Sequence, residues 1–283
     1  MFVITGATGQ LGRLVIQSLR KMVPADSIIA AVRDLEKAED LAAMGVQVRQ
    51  ADYNQPASLY AALQGADRVL LISSSEIGQR VRQHQAVIDT TRQVGVKLLA
   101  YTSVLHADTS VLALADEHRQ TEAAIRASGL TFALLRNGWY TENYTAGIPT
   151  ALSLGAVYGC AGDGPIASAA RADYAEAAAI VLTGESPAGE VYELAGDASY
   201  TLSDFAAELS RQSGKPINYI NLPEADYKSA LLGAGLSEVL ADLLANSDQG
   251  ASQGALFDAG RQLSKLLGRP TSSLETAVQA ALL

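Results

Sequence analysis

The chain has 283 residues, a net charge of −9 at pH 7 and a sequence pI of about 4.9. This length is sufficient for one large α/β domain or for two lobes with packed cores. The acidic balance and the lack of any Lys or Arg run argue against nucleic acid as a partner. Because no apolar stretch is as long as a bilayer span and no apolar leader opens the sequence, we expect a cytoplasmic protein without membrane insertion.

The first dozen residues predict a strand, a glycine loop and a helix. Residues 2–4 are apolar and β-prone, and apolar residues recur at helical spacing after the loop. The loop has the spacing Gly-x-x-Gly-x-x-Gly, a variant of the dinucleotide-binding fingerprint, in which the glycines allow a tight turn, the approach of a phosphate and close helix packing. A glycine-rich turn without a ligand is the alternative. We expect the loop to hold a pyrophosphate through Gly6, Ala7, Thr8, Gly9, Gln10, Leu11 and Gly12.

The end of the second predicted strand indicates which dinucleotide the loop accepts. Residues 27–32 form an apolar run that ends at Arg33, at the distance from the glycine loop where dinucleotide folds contact the adenosine ribose. An arginine offers a charge-assisted fork to the 2′-phosphate of NADPH, with Lys37 as support. Asp34 could still accept hydrogen bonds from a ribose, so NADH is also possible. A solvated surface arginine is the alternative interpretation of Arg33.

Strands and helices alternate regularly after this point. Apolar or β-prone runs predict strands at residues 46–50, 68–72, 97–103 and 130–136. They are separated by helical patterns at residues 36–44, 56–63, 80–94 and 116–126. The alternation predicts an α/β fold with a Rossmann-type doubly wound parallel sheet, which forms an NAD(P)-binding domain over residues 1–136. We expect residues 137–283 to form a smaller C-terminal α/β lobe that binds the substrate, with the chain returning to the sheet around 188–196.

Polar residues follow two of these strands. Asp52 and Tyr53 come after the third strand, and Ser73, Ser74 and Ser75 come after the fourth. Ligands of such sheets bind beyond the carboxyl ends of the strands. We therefore expect Tyr53 to contact the adenine rim and the three serines to lie near the nicotinamide side of the cofactor. An ordinary turn is the alternative for the serines.

The C-terminal part of the sequence offers weaker signals. The single cysteine, Cys160, has no intramolecular partner and no nearby histidine, so we interpret it as structural. Asp173 is expected to cap a helix over residues 174–182 and thereby to place Arg171 beside the substrate cleft. There Arg171 would orient an acceptor carbonyl or a phosphate, or form a structural ion pair. The glycine-rich segment Gly250–Gly254 is interpreted as a mobile loop over the site.

Several motifs together resemble one family. The glycine loop, the serine run 72–76, the strand end Tyr101–Ser103, the segment 134–144 and the segment 250–254 resemble those of the NmrA-like, atypical short-chain dehydrogenases/reductases. Within this family the chain is most similar to flavin-free and zinc-free bacterial quinone reductases. The resemblance implies NADPH as the cofactor and a quinone as the substrate.

An aromatic segment follows the sixth predicted strand. At the carboxyl end of the sheet, it could cover the nicotinamide, stack a planar quinone and donate a hydrogen bond to a quinone oxygen. We predict cofactor contacts for Asn137, Gly138, Trp139 and Tyr140. We predict substrate contacts for Trp139, Asn143 and Arg171, with Tyr140 and Asn143 as the catalytic, substrate-positioning pair. Core packing of these aromatics between the lobes is the alternative.

The sequence lacks the Tyr-x-x-x-Lys pair with which short-chain dehydrogenases move the proton of an alcohol. Leu114 stands at the position of the tyrosine and His118 at that of the lysine, where we expect a solvated helix residue. A reaction that needs a strong built-in base is therefore disfavoured. Hydride addition to an electrophilic quinone needs only modest hydrogen bonding and solvent protons.

These observations favour an NADPH-dependent quinone reductase that uses neither flavin nor metal. The cofactor supplies the chemistry, and the protein supplies proximity and orientation. Two alternatives stay open: a reductase of another conjugated planar acceptor such as a dye, and a non-catalytic NmrA-like redox sensor that only binds the dinucleotide. The sequence leaves the oligomeric state open.

Overall fold

The computed structural model describes residues 1–185 and 189–283. Contacts divide this part of the chain into two compact units. The first unit contains Met1–Ala107, Asp116–Asn137 and Arg171–Glu193, and the second contains Asp108–Ala115, Gly138–Ala170 and Leu194–Leu283. The chain rejoins the first unit at Arg171, and residues 190–194, which lie within the predicted return at 188–196, add a strand to its sheet; residue 188 lies outside the described residues. The functions predicted for the two regions stay predictions.

Up to residue 137, strands alternate with helices in the order that the sequence predicts. The strands are β1 (Phe2–Thr5), β2 (Ile28–Val32), β3 (Gln47–Gln50), β4 (Arg68–Leu71), β5 (Leu98–Val104), β6 (Phe132–Asn137), β7 (Ala156–Gly159), β8 (Glu190–Leu194) and β9 (Asn218–Asn221). A seven-stranded sheet has the order β3-β2-β1-β4-β5-β6-β8, and the neighbours from β3 to β6 pair in parallel. This order and the flanking helices confirm the Rossmann-type α/β fold.

The helices agree closely with the predicted ones in the first half of the chain. They are α1 (Gln10–Leu19), α2 (Glu39–Ala43), α3 (Pro56–Leu63), α4 (Arg80–Gln93), α5 (Ala115–Ala127), α6 (Glu142–Thr145), α7 (Ile148–Leu154), α8 (Arg171–Thr183), α9 (Leu202–Ser213), α10 (Glu224–Gly233), α11 (Glu238–Ser252), α12 (Gln262–Leu267) and α13 (Leu274–Leu282). No described helix is both long enough and apolar enough to span a bilayer.

The core of the first unit covers both faces of the sheet. On one face, strand residues such as Val3 and Leu71 form a buried cluster with Leu59 of α3 and Val87 of α4. Ile4, the next residue along β1, is also fully buried, and it points to the opposite face because successive strand side chains alternate. There α1 and α8 pack against each other and against the central strands. Burial on both faces explains the continuous apolar runs of the strands.

The helix α8 begins earlier than predicted. Asp173 does not cap it, because the helix already starts at Arg171 and Asp173 is a buried residue of its first turn. The predicted cap is therefore wrong, and Arg171 is the first helical residue of this segment. An acidic side chain in the first turn still complements the helix dipole, so the local charge pattern resembled that of a cap.

The second unit contains a small parallel sheet of β7 and β9. Its helix α9 begins at Leu202, because Thr201 and Asp204 form a reciprocal capping box. The predicted loop Gly250–Gly254 is wrong in its first half, since α11 continues to Ser252 and Gly250 is buried in it. A Cβ atom at Gly250 would lie 2.3 Å from Leu112 Cδ2, so this glycine serves close packing.

Candidate functional site

A cavity of about 300 Å³ opens at the carboxyl ends of β1 to β4, in the first unit. It lies where the strand order reverses between β1 and β4, the place at which open α/β sheets bind ligands. Its size matches the lower end of cofactor and ligand pockets. It is lined by Gly6, Thr8, Gly9, Ala31, Arg33, Ala51, Asp52, Tyr53, Asn54, Ile72, Ser73, Ser74, Ser75, Glu76 and Gln83.

The glycine loop forms one wall of this cavity. Gly6 has φ +59°, the left-handed region that favours glycine. A Cβ atom at Gly9 would lie 3.2 Å from Gly6 O, and one at Gly12 would lie 2.5 Å from Gly6 O and 2.7 Å from Ala7 Cα. Only glycine at residue 12 therefore lets α1 approach the loop, and the first turn of α1 keeps its amides available for an anion.

The seven predicted loop residues occupy three kinds of position. Gly6, Thr8 and Gly9 line the cavity, whereas Ala7, Leu11 and Gly12 are buried behind them. Gln10 is exposed and is the first residue of α1. The structure therefore brings three of the seven predicted residues to the cavity wall.

Arg33 and Glu76 face each other at the rim. Arg33 Nη1 donates to Glu76 Oε1 at 2.7 Å, and the Arg33 side chain is 69% exposed. The other carboxylate oxygen, Glu76 Oε2, accepts from Gln83 Nε2 at 2.7 Å. Asp34 and Lys37 do not line the cavity, and they pair with each other at 3.7 Å. Arg33 is therefore the basic side chain that the structure places at this cavity wall, already in contact with a carboxylate.

The serine wall after β4 is held through its backbone. Ser73 N donates to Thr102 Oγ1 at 2.9 Å, and Ser74 N donates to His84 Nε2 at 2.9 Å. Arg80 Nε donates to Ser74 O at 2.6 Å. Both backbone groups of Ser74 are thus fixed by side chains of α4. The three serines line the cavity, and their contact to the nicotinamide side of the cofactor stays a prediction.

The Tyr53 side chain contributes its ring rather than its hydroxyl. Tyr53 OH lies 2.5 Å from Thr5 Oγ1 and 3.0 Å from Ile72 O. Burial raises the pKa of this phenol, so the group stays neutral. Its hydroxyl joins the ends of β1 and β4, and a polar contact to adenine would need a different group.

Two neutral histidines stand behind the serine wall. His84 Nε2 accepts from a backbone amide, so the ring proton lies on Nδ1, 3.0 Å from Thr121 Oγ1. His118 Nδ1 lies 2.7 Å from Tyr101 OH. Burial is the main cause that lowers the pKa of each histidine to about 3, and the positive charge of Arg80 adds to it. The prediction of a solvated His118 is wrong, since only 4% of the residue is exposed.

A buried ion network lies at the carboxyl ends of β5, β6 and β8. Arg136 Nη2 and Nη1 donate at 2.7 Å to Glu122 and to Glu193, and Ser103 Oγ donates to Glu122 at 2.6 Å. These hydrogen bonds raise the pKa of Arg136, so it stays charged. The next residue, Asn137, is 5% exposed, and its Oδ1 has no hydrogen-bond partner among the described residues. An acceptor left in this state is suited to a ligand donor.

The other predicted residues of the aromatic segment belong to the second unit. Gly138 N donates to Leu194 O at 2.7 Å, and Trp139 O accepts from Ala169 N at 3.2 Å. Trp139 and Tyr140 are half-buried, and Asn143 is exposed. Their backbone is therefore fixed by a neighbouring segment. Their roles in cofactor and substrate binding stay predictions, as does that of Arg171.

Sequence reasoning missed several lining residues. Glu76 and Asn54 follow β4 and β3, so their strand-end positions were a usable signal. Gln83 lies inside α4 and is 2% exposed, and nothing in a helical pattern distinguishes it from a core position. Its Oε1 is also unpartnered among the described residues.

The arrangement of side chains in the described residues does not suggest a metal centre. No group of three or more His, Cys, Asp or Glu side chains within residues 1–185 and 189–283 is arranged to hold a metal ion. Cys160 is a buried thiol, and burial raises its pKa to about 12, so it stays protonated. This state suits the structural role that we expected.

Known proteins match this chain over nearly its whole length. The sequence profile of the NmrA-like family matches residues 1–256. Quinone oxidoreductase 2 of Escherichia coli (strain K12) is 58% identical over 278 residues, which are 98% of this chain and 97% of that protein. The crystal structure of the NADPH-dependent quinone oxidoreductase from Escherichia coli complexed with NADPH matches with a TM-score of 0.98 at 57% identity and covers 100% of both chains.

Another similar protein is a triphenylmethane reductase. The crystal structure of Citrobacter sp. triphenylmethane reductase complexed with NADP(H) matches with a TM-score of 0.96 at 38% identity and covers 99% of this chain and 100% of that chain. Together these likenesses confirm the family resemblance and the similarity to bacterial type 2 NAD(P)H:quinone oxidoreductases that the motifs predicted.

Proposed function

The chain belongs to the NmrA-like family, and on this basis we propose that it is an NADPH-dependent quinone reductase. The observation that carries the proposal is the cavity formed by the glycine loop with Arg33 at its rim, in a chain 57% identical to an NADPH-bound quinone oxidoreductase over its whole length. The overall reaction converts a quinone, NADPH and a proton into a hydroquinone and NADP⁺.

The residues of the cavity fit NADPH by shape and by charge. The first turn of α1 and the glycine loop would hold the pyrophosphate, and Arg33 would bind the 2′-phosphate. Tyr53 would cover part of the adenine with its ring, and Ser73 to Ser75 would line the path toward the nicotinamide. NADH would use the same loop without the contact to Arg33. When bound, NADPH supplies the hydride.

Asn137 would support the cofactor from the end of β6. Its buried, unpartnered Oδ1 is an acceptor for a donor group of the ligand. Gly138, Trp139 and Tyr140 continue the same segment and would contact the nicotinamide half. We further propose that residues 1–136 bind the dinucleotide and that residues 137–283 supply the groups that contact the acceptor.

The acceptor side of the proposal is built on Trp139, Tyr140, Asn143 and Arg171. Trp139 and Tyr140 would stack the planar quinone, and Asn143, which is exposed, would donate to one quinone oxygen. Arg171 would orient the second carbonyl. These groups position an acceptor that is already electrophilic, so orientation is their main contribution.

The state of His118 supports an acceptor that needs no built-in base. This residue stands where related dehydrogenases place a lysine, but it is buried, neutral and hydrogen-bonded to Tyr101. A neutral imidazole in this position cannot lower the pKa of a neighbouring hydroxyl as a lysine cation does. The proton that the hydroquinone needs besides the hydride would come from solvent. We also propose that the protein is cytoplasmic.

A steady-state assay tests the function directly. The purified, flavin-free protein is mixed with NADPH or NADH, with and without 1,4-benzoquinone, and the loss of nicotinamide absorbance is followed. We expect quinone-dependent oxidation that is faster with NADPH at limiting cofactor concentration. NADPH binding without turnover would identify a redox sensor instead, and failure to bind either dinucleotide would refute the cofactor assignment.

A dye is a second candidate acceptor. The likeness to Citrobacter triphenylmethane reductase at 38% identity favours it, because quinones and such dyes are both conjugated acceptors. The same assay with a triphenylmethane dye measures its kcat/KM against that for the quinone. A higher value for the dye would reverse the order of the two candidates.

A further inference from the structure

Arg33, the residue proposed to bind the 2′-phosphate, already contacts the carboxylate of Glu76. Arg33 Nη1 donates to Glu76 Oε1 at 2.7 Å, and both residues line the cavity. Arg33 follows β2, whereas Glu76 follows β4, so the contact crosses from one strand end to another. A ligand phosphate at Arg33 would therefore meet a carboxylate of this chain that is already bound to Nη1.

Glu76 is held in this position from behind. Its Oε2 accepts from Gln83 Nε2 at 2.7 Å, and its backbone N donates to Ser74 Oγ at 3.1 Å. Gln83 is 2% exposed and lies within α4. Neither of these two contacts involves Arg33, so they hold the negative charge of Glu76 at the rim independently of it.

From this geometry we propose that Glu76 is a specificity-determining residue that weakens the preference for 2′-phosphorylated dinucleotides. The inference rests on the proposed binding of NADPH at this cavity. Glu76 competes with the 2′-phosphate for Arg33 and repels that phosphate. It does neither to a 2′-hydroxyl, to which a carboxylate can instead offer an acceptor. Arg33 and Glu76 thus act in opposite directions on the choice between NADPH and NADH.

The size of the effect follows from the exposure of the pair. Exposed ion pairs contribute about 0.2–1 kcal/mol, equivalent to about 1.4- to 5-fold in affinity. Removal of a like charge beside the phosphate adds to this, so we expect an effect of about 3- to 10-fold on a 2′-phosphorylated ligand. Salt should reduce it, because the rim is open to solvent.

The substitution Glu76→Gln tests the proposal with little change in shape. The oxygen of the new amide can still accept from Gln83 Nε2, which turns the amide nitrogen toward Arg33, where it offers no acceptor. The probes are 2′,5′-ADP and AMP, which differ by the 2′-phosphate, and affinity is measured by isothermal titration calorimetry. We expect E76Q to bind 2′,5′-ADP about 3- to 10-fold more tightly, and AMP with a change of less than about 2-fold.

Glu275→Gln is the matched control. Glu275 Oε1 accepts from Arg211 Nη2 at 2.9 Å, so this variant also removes an exposed carboxylate from an arginine. Glu275 is not among the residues that line the cavity. E275Q should bind both probes as the unaltered protein does, since its effect on net charge is the same but its position is different.

A second variant protects the test against misfolding of the first. Glu76→Asp keeps the charge and withdraws the carboxylate by one methylene from Arg33. It should tighten 2′,5′-ADP binding less than E76Q does, because the repulsion remains. Equal effects of Glu76 substitutions on both probes, or no effect on either, would refute the proposal. If the unaltered protein binds neither 2′,5′-ADP nor NADPH, the proposed function itself has failed.

Discussion

Asp248 is a buried carboxyl group whose titration should control the stability of the second unit. It lies on α11 with 6% of its surface exposed. Its Oδ2 accepts a hydrogen bond from Cys160 N at 3.1 Å. Burial raises the pKa of Asp248 to about 6, and the hydrogen bond from Cys160 partly opposes this shift. A charged Asp248 is therefore unfavourable in the folded protein.

The sign of the pH effect follows from the direction of this shift. The pKa is about 6 in the folded protein and 3.8 in the ordinary, unfolded reference, so the folded state binds the proton more tightly. The stabilisation from that proton is complete below about pH 4 and is lost as the pH rises through about 6. At about 1.4 kcal/mol per pKa unit, the loss is roughly 3 kcal/mol of unfolding free energy.

The substitution Asp248→Asn should remove this pH dependence. The amide is neutral at every pH, has nearly the shape of the carboxyl group and can still accept from Cys160. We therefore expect the unfolding free energy of the variant, relative to the unaltered protein, to increase by roughly 3 kcal/mol between pH 4 and pH 7. A constant cost of the substitution cancels in this comparison.

Urea unfolding followed by tryptophan fluorescence at pH 4, 5, 6 and 7 measures the difference. Asp242→Asn is the control, because Asp242 lies on the same helix but is exposed and paired with Lys228 at 2.5 Å. Its effect should vary by less than about 0.5 kcal/mol over the same range. If the difference for Asp248→Asn stays constant from pH 4 to pH 7, the reasoning on the buried charge is wrong.

Three further predictions concern the cavity. Arg33→Ala should weaken NADPH binding by about 10- to 100-fold and NADH binding by less than about 3-fold in calorimetry, and equal losses would remove Arg33 as the phosphate-binding group. Gly12→Ala should lower the unfolding free energy by about 1–3 kcal/mol and weaken NADPH binding, because the new Cβ atom would lie 2.5 Å from Gly6 O. Unchanged NADPH binding would contradict this prediction. Tyr53→Phe should lower the unfolding free energy by about 1–2 kcal/mol, because Thr5 loses a hydrogen-bond partner, and it should leave the NADPH affinity nearly unchanged. Unchanged stability in urea would show that the Tyr53 hydroxyl contributes little.

The sequence predicted the fold of the first unit well because its signals are local. Continuous apolar runs indicated strands buried on both faces, and helical spacing indicated the helices between them. The helix α3 begins and ends as predicted, with Pro56 at its first position, where the missing amide costs nothing. The glycine loop was predictable for the same reason, since the spacing of three glycines is itself the structural requirement.

The errors arose where the decisive contact lies far away in the sequence. His118 was expected to be solvated because acidic neighbours surround it on its own helix. Its actual partner is Tyr101 on β5, and this contact places the imidazole in the core. In the same way, Gly250 resembled a loop residue until its close approach to Leu112 became visible. Amphipathic patterns describe one element at a time, so they do not show which neighbour covers a residue.

Some residues of the cavity can be predicted from local sequence, whereas others depend on contacts that are distant in the sequence. The position of Arg33 after β2 predicted a basic group at the ribose, and that inference needs only the order of the elements. Its partner Glu76 stands 43 residues later, and Gln83, which holds Glu76, lies on yet another element. A phosphate-binding arginine identified by spacing alone would suggest a strict preference for NADPH. Since the carboxylate opposes that preference, the choice of cofactor depends on a pair of residues, of which spacing reveals only the first.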